Sequence, residues 1–210
     1  MKKIILSLIV ASFILNGCII VKRSTRIYTN VDPVHHALRH HVTFFFLNGI
    51  EWPSQVNTLK KSVLKIVAKK SQKVDYMVYD QLYLDASSGP VKDSVFIMVD
   101  GQIFPKKLEG LTLINRSEVN TSSNQVMTSD STVVNVVSGV QTHYWNEASF
   151  HYSISPILAN TMRYANDIRF IYYIGPHIFT VKFTRSQLNK LRKLIETSLP
   201  QSIADTGHQF

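Results

Sequence analysis

The tightest constraint on the fold of this chain is a strict alternation of apolar and polar residues toward its C-terminal end. Ala148, Phe150, Tyr152 and Ile154 alternate with Ser149, His151, Ser153 and Ser155. Ile168, Phe170, Tyr172 and Ile174 alternate with Arg169, Ile171 and Tyr173, and after Gly175-Pro176 the pattern resumes at Phe179, Val181 and Phe183. A period of two puts every apolar side chain on one face, so these are half-buried antiparallel strands whose sheet must be covered on one side.

Other stretches fit the same frame. Val74–Leu84 and the continuously apolar Val95–Val99 read as strands. Asp100-Gly101 is a hairpin turn, with Gln102 to Phe104 returning and Pro105 marking either an edge or the end of that arm. Val42–Leu47 is β-branched and aromatic, closing at Asn48-Gly49. Arg116–Thr128 and Ser131–Ser138 form a more polar hairpin around Ser129-Asp130, an exposed ribbon with one wet face.

Four helices are expected. Asp32-Pro33 is an N-cap followed by Pro, predicting a short helix over 34–41. Pro53-Ser54 opens a longer one over 54–72, where Val56, Leu59, Val63, Ile66 and Val67 make one apolar stripe. Lys60, Lys61, Lys65, Lys69 and Lys70 fill much of the remaining surface as a solvated face. Ser155-Pro156 starts a short helix with Leu158, Met162 and Ala165 inward, and Thr184 or Ser186 caps a last one over about 185–199. The fold class that follows is α+β: a largely antiparallel sheet with two long helices and one or two short helices packed on it. The single domain spans 42–199, after a tether and short His-rich segment over 18–41 and before a loose tail at 200–210. From 148 to 199 the order of elements resembles the C-terminal part of several uncharacterised bacterial envelope proteins.

The first 17 residues are of another kind. Lys2 and Lys3 precede an apolar run from Ile4 to Leu15, too short to cross ~30 Å of hydrocarbon as a helix. Leu15-Asn16-Gly17-Cys18 resembles the lipobox of bacterial lipoproteins. That resemblance implies a signal peptide over 1–17, a lipid on Cys18 and, with Ile19 next, an outer-membrane address. Two or three acyl chains hold a protein stably to a bilayer. Cys18 is the only cysteine, so the fold stands without disulfides or thiolate metal sites.

The formal net charge is +9. A basic balance invites polyanions: anionic lipid, which Lys22, Arg23 and Arg26 could meet, a glycan, or an envelope protein. Nucleic acid is not expected outside the cytoplasm, and no nucleic-acid-binding pattern occurs. No nucleophile elbow, phosphate loop or zinc helix is present. Asp80 and Asp85 fall on opposite faces of a strand, so they cannot converge as an acid–base pair, and no cofactor is implied. On a helix, His36 and His40 would share a face as a two-point metal clip, flanked by His35 and His41. Tyr76, Tyr79, Tyr83, Tyr144, Trp145, Tyr152, Tyr172 and Tyr173 either line a groove or build the core. The expectation is a lipid-anchored, non-enzymatic binding or assembly component of the envelope. The alternatives are a periplasmic metal-binding lipoprotein and a hydrolase with a dispersed site.

Overall fold

The computed structural model describes residues 26–47, 56–127 and 133–197. The strands are β1 (Tyr28–Asp32), β2 (Ala37–Leu47), β3 (Val56–Ala68), β4 (Val74–Asp85), β5 (Val91–Val99), β6 (Gln102–Lys107), β7 (Glu109–Met127) and β8 (Val133–Ile154). Helix α1 (Pro156–Tyr164), β9 (Ile168–Ile174), β10 (His177–Lys182) and helix α2 (Arg185–Glu196) are the remaining described elements. Every strand pairing is antiparallel: one sheet runs β1-β2-β3-β4-β8-β7, the other β10-β9-β5-β6. Strand holds 69% of the described residues and helix 13%, which overturns the α+β expectation with two long helices. The described residues are mostly β, with two short helices.

Two of the four expected helices are strands, for identifiable reasons. In β3 the buried side is Leu59, Lys61, Val63, Lys65 and Val67, a period of two. Lysines occupy two of the inward positions. With those removed from the apolar count, the remaining hydrophobics space themselves like a helical stripe. The expected solvated lysine face is therefore wrong for Lys61 and Lys65, both buried. At 34–41, the Asp32 carboxylate accepts the N–H groups of Val34 and His35. A helix N-cap uses the same chemistry, but here it makes a turn. His36 then takes φ +46°, which ends any helix and starts β2. Residues 28–41 accordingly form the β1–β2 hairpin, not a tether.

Other readings are met. Asp100 (φ +45°) and Gly101 (φ +90°) make the hairpin turn, and Pro105 lies in β6, an edge strand. Ser155 caps α1, and Thr184 caps α2 in a capping box with Gln187. The 148–155 strand is the end of a 22-residue β8, whose first half is the returning arm of the polar hairpin. The turns expected at Asn48-Gly49 and Ser129-Asp130, the helix start expected at Pro53-Ser54, and the tail from Pro200 lie outside the described residues, as does the leader.

The two sheets face each other across one core. Phe183 joins them, its ring 4.9 Å from Phe44 and 5.3 Å from Phe170. Leu188, Leu191 and Leu194 bury the inner stripe of α2. Gly89 and Gly175 let two loops touch: a Cβ on Gly89 would stand 2.7 Å from the Gly175 Cα. Both helix C-termini, where carbonyls lack partners, are closed by cations. Arg192 donates to the carbonyls of Arg163 (3.0 Å) and Ala165 (2.6 Å). Lys65 donates to those of Ile195 (2.6 Å) and Thr197 (2.8 Å).

Candidate functional site

Two polar features stand out, one inside and one outside. Inside, Lys61 of β3 lies directly across from Asp80 of β4. Its Nζ donates to both Asp80 oxygens at 2.7 Å and reaches the hydroxyls of Tyr152 (2.8 Å) and Tyr172 (2.6 Å). Those hydroxyls in turn donate to Asp80 Oδ2 at 3.1 and 2.7 Å. The ammonium also stands 3.9 Å from the centre of the Phe170 ring. Lys61, Asp80 and Tyr152 belong to the first sheet and Tyr172 and Phe170 to the second, so the cluster pins the sheets together. Burial pushes Lys61 down to about 8, against the pull of Asp80. Burial and the Asp80 charge push both phenols well above their usual range, so they stay neutral donors. Each polar atom of this sealed cluster has a partner and no substrate can reach it, so it is a structural centre.

Outside, β8 leaves the body. β4 flanks it from Trp145 to Ile154; from Val133 to Tyr144 its described neighbour is β7 alone. The result is a two-stranded ribbon, Ser117–Met127 against Val133–Tyr144, about 40 Å long at ~3.4 Å per residue. Except for Gly139, all its described residues are exposed. Residues directly opposite share a face. One face, continuous with buried Ala148 and Phe150, carries Ser117 and Tyr144, Val119 and Thr142, Thr121 and Val140, Ser123 and Val137. The other carries Arg116 and Trp145, Glu118 and His143, then Asn120 and Gln141. A bulge at Ser138 lies on β8, where Ser138 donates to the Ser122 carbonyl at 3.1 Å. Between Val119 and Thr142 the only charged residue in the sequence is Asp130. The expected hairpin at 116–138 is thus real, but longer. His143, Tyr144 and Trp145 interrupt the alternation and hid its continuity with the 148–154 strand.

At the ribbon's base, an open hollow of about 320 Å³ lies on the outer face of the first sheet. His151 stacks on Tyr79 at 5.5 Å and approaches Glu109 at 3.5 Å, with Lys60 and Ser62 beside them. It holds no converging carboxylates.

The residues singled out in the sequence scatter. His36 is exposed at the turn, whereas His40 is buried on β2 with Nδ1 2.9 Å from Thr29 Oγ1. Four residues of extended chain span ~13 Å, so the helical clip does not form. His35 contacts Asp32 at 2.9 Å and His41 stacks on Tyr28 at 5.2 Å. Among the described residues no group of three or more His, Cys, Asp or Glu could hold a metal ion. Asp80 is buried and Asp85 lies on the opposite side of β4, accepting from Ser87. Tyr76, Tyr152 and Tyr172 are core, while Tyr79 and Tyr144 are exposed, so the aromatics line no single groove. Cys18 lies outside the described residues. Comparison with protein-family models, with curated proteins and with solved structures returns no match.

Proposed function

We propose that this protein is a lipid-anchored, non-enzymatic assembly component of the bacterial envelope, held by a lipid on Cys18 and working through the β7–β8 ribbon. The ribbon carries this reading. A two-stranded hairpin with neither face packed is marginal in water, and this one projects a dozen residues per strand with almost no charge to solvate it. Such an element is useful when another molecule covers it. Among the described residues the buried Lys61–Asp80 cluster is sealed, which supports a non-catalytic role.

The test is crosslinking of the acylated full-length protein in its own envelope. The wild type is expected to capture a protein through photoreactive groups placed in the ribbon, and not through groups on β10. A ribbon that captures nothing overturns the assembly role. Separately, Cys18→Ala is expected to release the protein from the membrane fraction; retention as tight as wild type overturns the anchor.

A further inference from the structure

We infer that the ribbon's occupant is a second copy of this chain, joined by antiparallel pairing of β7 with β7 across a two-fold axis at Ser117. This rests on the reading of the ribbon as the working surface. Among the described residues β7 ends its sheet, so one side of a 19-residue strand keeps its outward backbone N–H and C=O groups open. Exposed edges of that length are templates for pairing unless Lys, Pro or a bulge blunts them. From Glu109 to Met127, β7 has no Lys and no Pro; its own bulge lies at its base, between Glu109 and Thr112, outside the ribbon, and the ribbon's bulge is on β8.

Charge selects the partner and the register. In a two-fold pair the same strand meets itself reversed, with facing residues on one side of the sheet. The charged residues of β7 are Glu109, Arg116 and Glu118. An axis at Arg116 sets two guanidinium groups directly opposite, and an axis at Glu118 sets two carboxylates opposite; both are repulsive. With the axis at Ser117, Arg116 stands across from Glu118 of the partner subunit, twice. Glu118 makes no ion pair among the described residues, and Arg116 holds Glu147 at 3.3 Å only through Nε, leaving the guanidinium's outer nitrogens to reach across. In this register Val119 meets Asn115 of the partner subunit, Thr121 meets Leu113 of the partner subunit, and each ribbon lies along the other copy's supported base. A lipid surface fits less well. Gln125 and Asn135 share a face with Val119 and Val137, and Asn120 and Gln141 occupy the other, so neither side is apolar throughout.

The test uses the full-length chain with Cys18→Ser, so that an introduced cysteine is the only thiol. Ser117→Cys is expected to oxidise to a covalent dimer, whereas Thr121→Cys, some 27 Å from its symmetry mate by ~3.4 Å per residue, stays single. In sedimentation, Glu118→Arg alone and Arg116→Glu alone are each expected to be monomeric, with thermal unfolding like that of wild type at the same low concentration. Mixed together they form a heterodimer, because every facing pair then joins Arg to Glu. Wild type that stays monomeric at tens of micromolar overturns the inference, as does equal crosslinking through Thr121→Cys or a mixture that fails to associate. Ribbon-dependent binding to phosphatidylglycerol vesicles by the monomer also overturns it, in favour of lipid. A monomer whose ribbon still captures a different envelope protein overturns this inference alone and leaves the assembly role standing.

Discussion

The core and the ribbon invert the usual distribution of charge. The centre of the protein holds a lysine and an aspartate with fully buried side chains, while the longest exposed element is almost free of charge. Proteins keep ions outside because desolvating them costs several kcal/mol each. They charge exposed edges because bare ones aggregate. Each exception therefore needs its own compensation. In the core it is present: four oxygens and a ring surround one ammonium. In the ribbon the described residues supply none, and that is the gap the proposed second copy would fill. One region is complete; the other, on this proposal, is half of an interface.

Breaking the core cluster gives the largest effect. Lys61→Met leaves the buried Asp80 carboxyl without its cation and is expected to cost about 3–5 kcal/mol. At roughly 2–4 °C per kcal/mol for a chain of this size, Tm should fall by about 6–20 °C. Adding Asp80→Leu to the same chain should recover most of that loss, since a buried ion pair replaced on both sides by apolar groups is often neutral. Calorimetry of the single and double variants checks both; a double variant no better than the single would mean that the cluster fixes the sheet pairing as well as balancing charge. Next in size are the tyrosines. Tyr172→Phe and Tyr152→Phe each remove a donor to Asp80 and should cost about 1–3 kcal/mol. Tyr172 should cost the more, because its contacts are shorter (2.6 and 2.7 Å, against 2.8 and 3.1 Å).

These same residues mark where the sequence was and was not legible. Strands with clean alternation, β9 and the body of β8, could be read directly, as could both helix starts and the Asp100-Gly101 turn. The failures fall on elements whose inward positions break the apolar rule. Lys61 and Lys65 concealed the period of β3, because a lone charge at a core position signals its partner only through long-range contacts that no local pattern contains. The Asp32-Pro33 turn failed for another reason: an Asx turn and a helix N-cap share one local chemistry, and the choice depends on whether β2 finds β3. The ribbon's polarity was readable, but its reach beyond the sheet was not, since support by β4 is a tertiary fact. The scarcity of charge from 119 to 142 was the available signal.

Intermediate effects come from charges at the margin of the core. Lys65→Met removes the cation from the C-terminal carbonyls of α2 and should cost about 1–2 kcal/mol, seen as a lower Tm and as faster hydrogen exchange in α2. Burial, and secondarily the Lys65 charge, hold His40 below its ordinary value of 6.5. The unfolded chain then binds the proton first, so stability is lost as pH falls through 6.5 toward the folded value, by at most ~1.4 kcal/mol per pH unit. His40→Asn should flatten that limb in urea titrations at pH 5 to 7. An unchanged slope would assign the acid sensitivity to other groups.

The smallest expected effect is the sharpest statement about the ribbon. Arg116 and Trp145 are opposed across β7 and β8, so an Asn-Gly turn can join them and delete everything beyond. If the ribbon contributes nothing to the body, the shortened chain should unfold within about 0.5 kcal/mol of wild type at low concentration. At high concentration the two should part. A dimer that binds only through folded ribbons raises wild-type Tm with concentration by mass action, and the shortened chain has no such dependence. A large loss of stability at every concentration would instead make the ribbon part of the fold, and the contrast between a complete core and a half-built surface would fail with it.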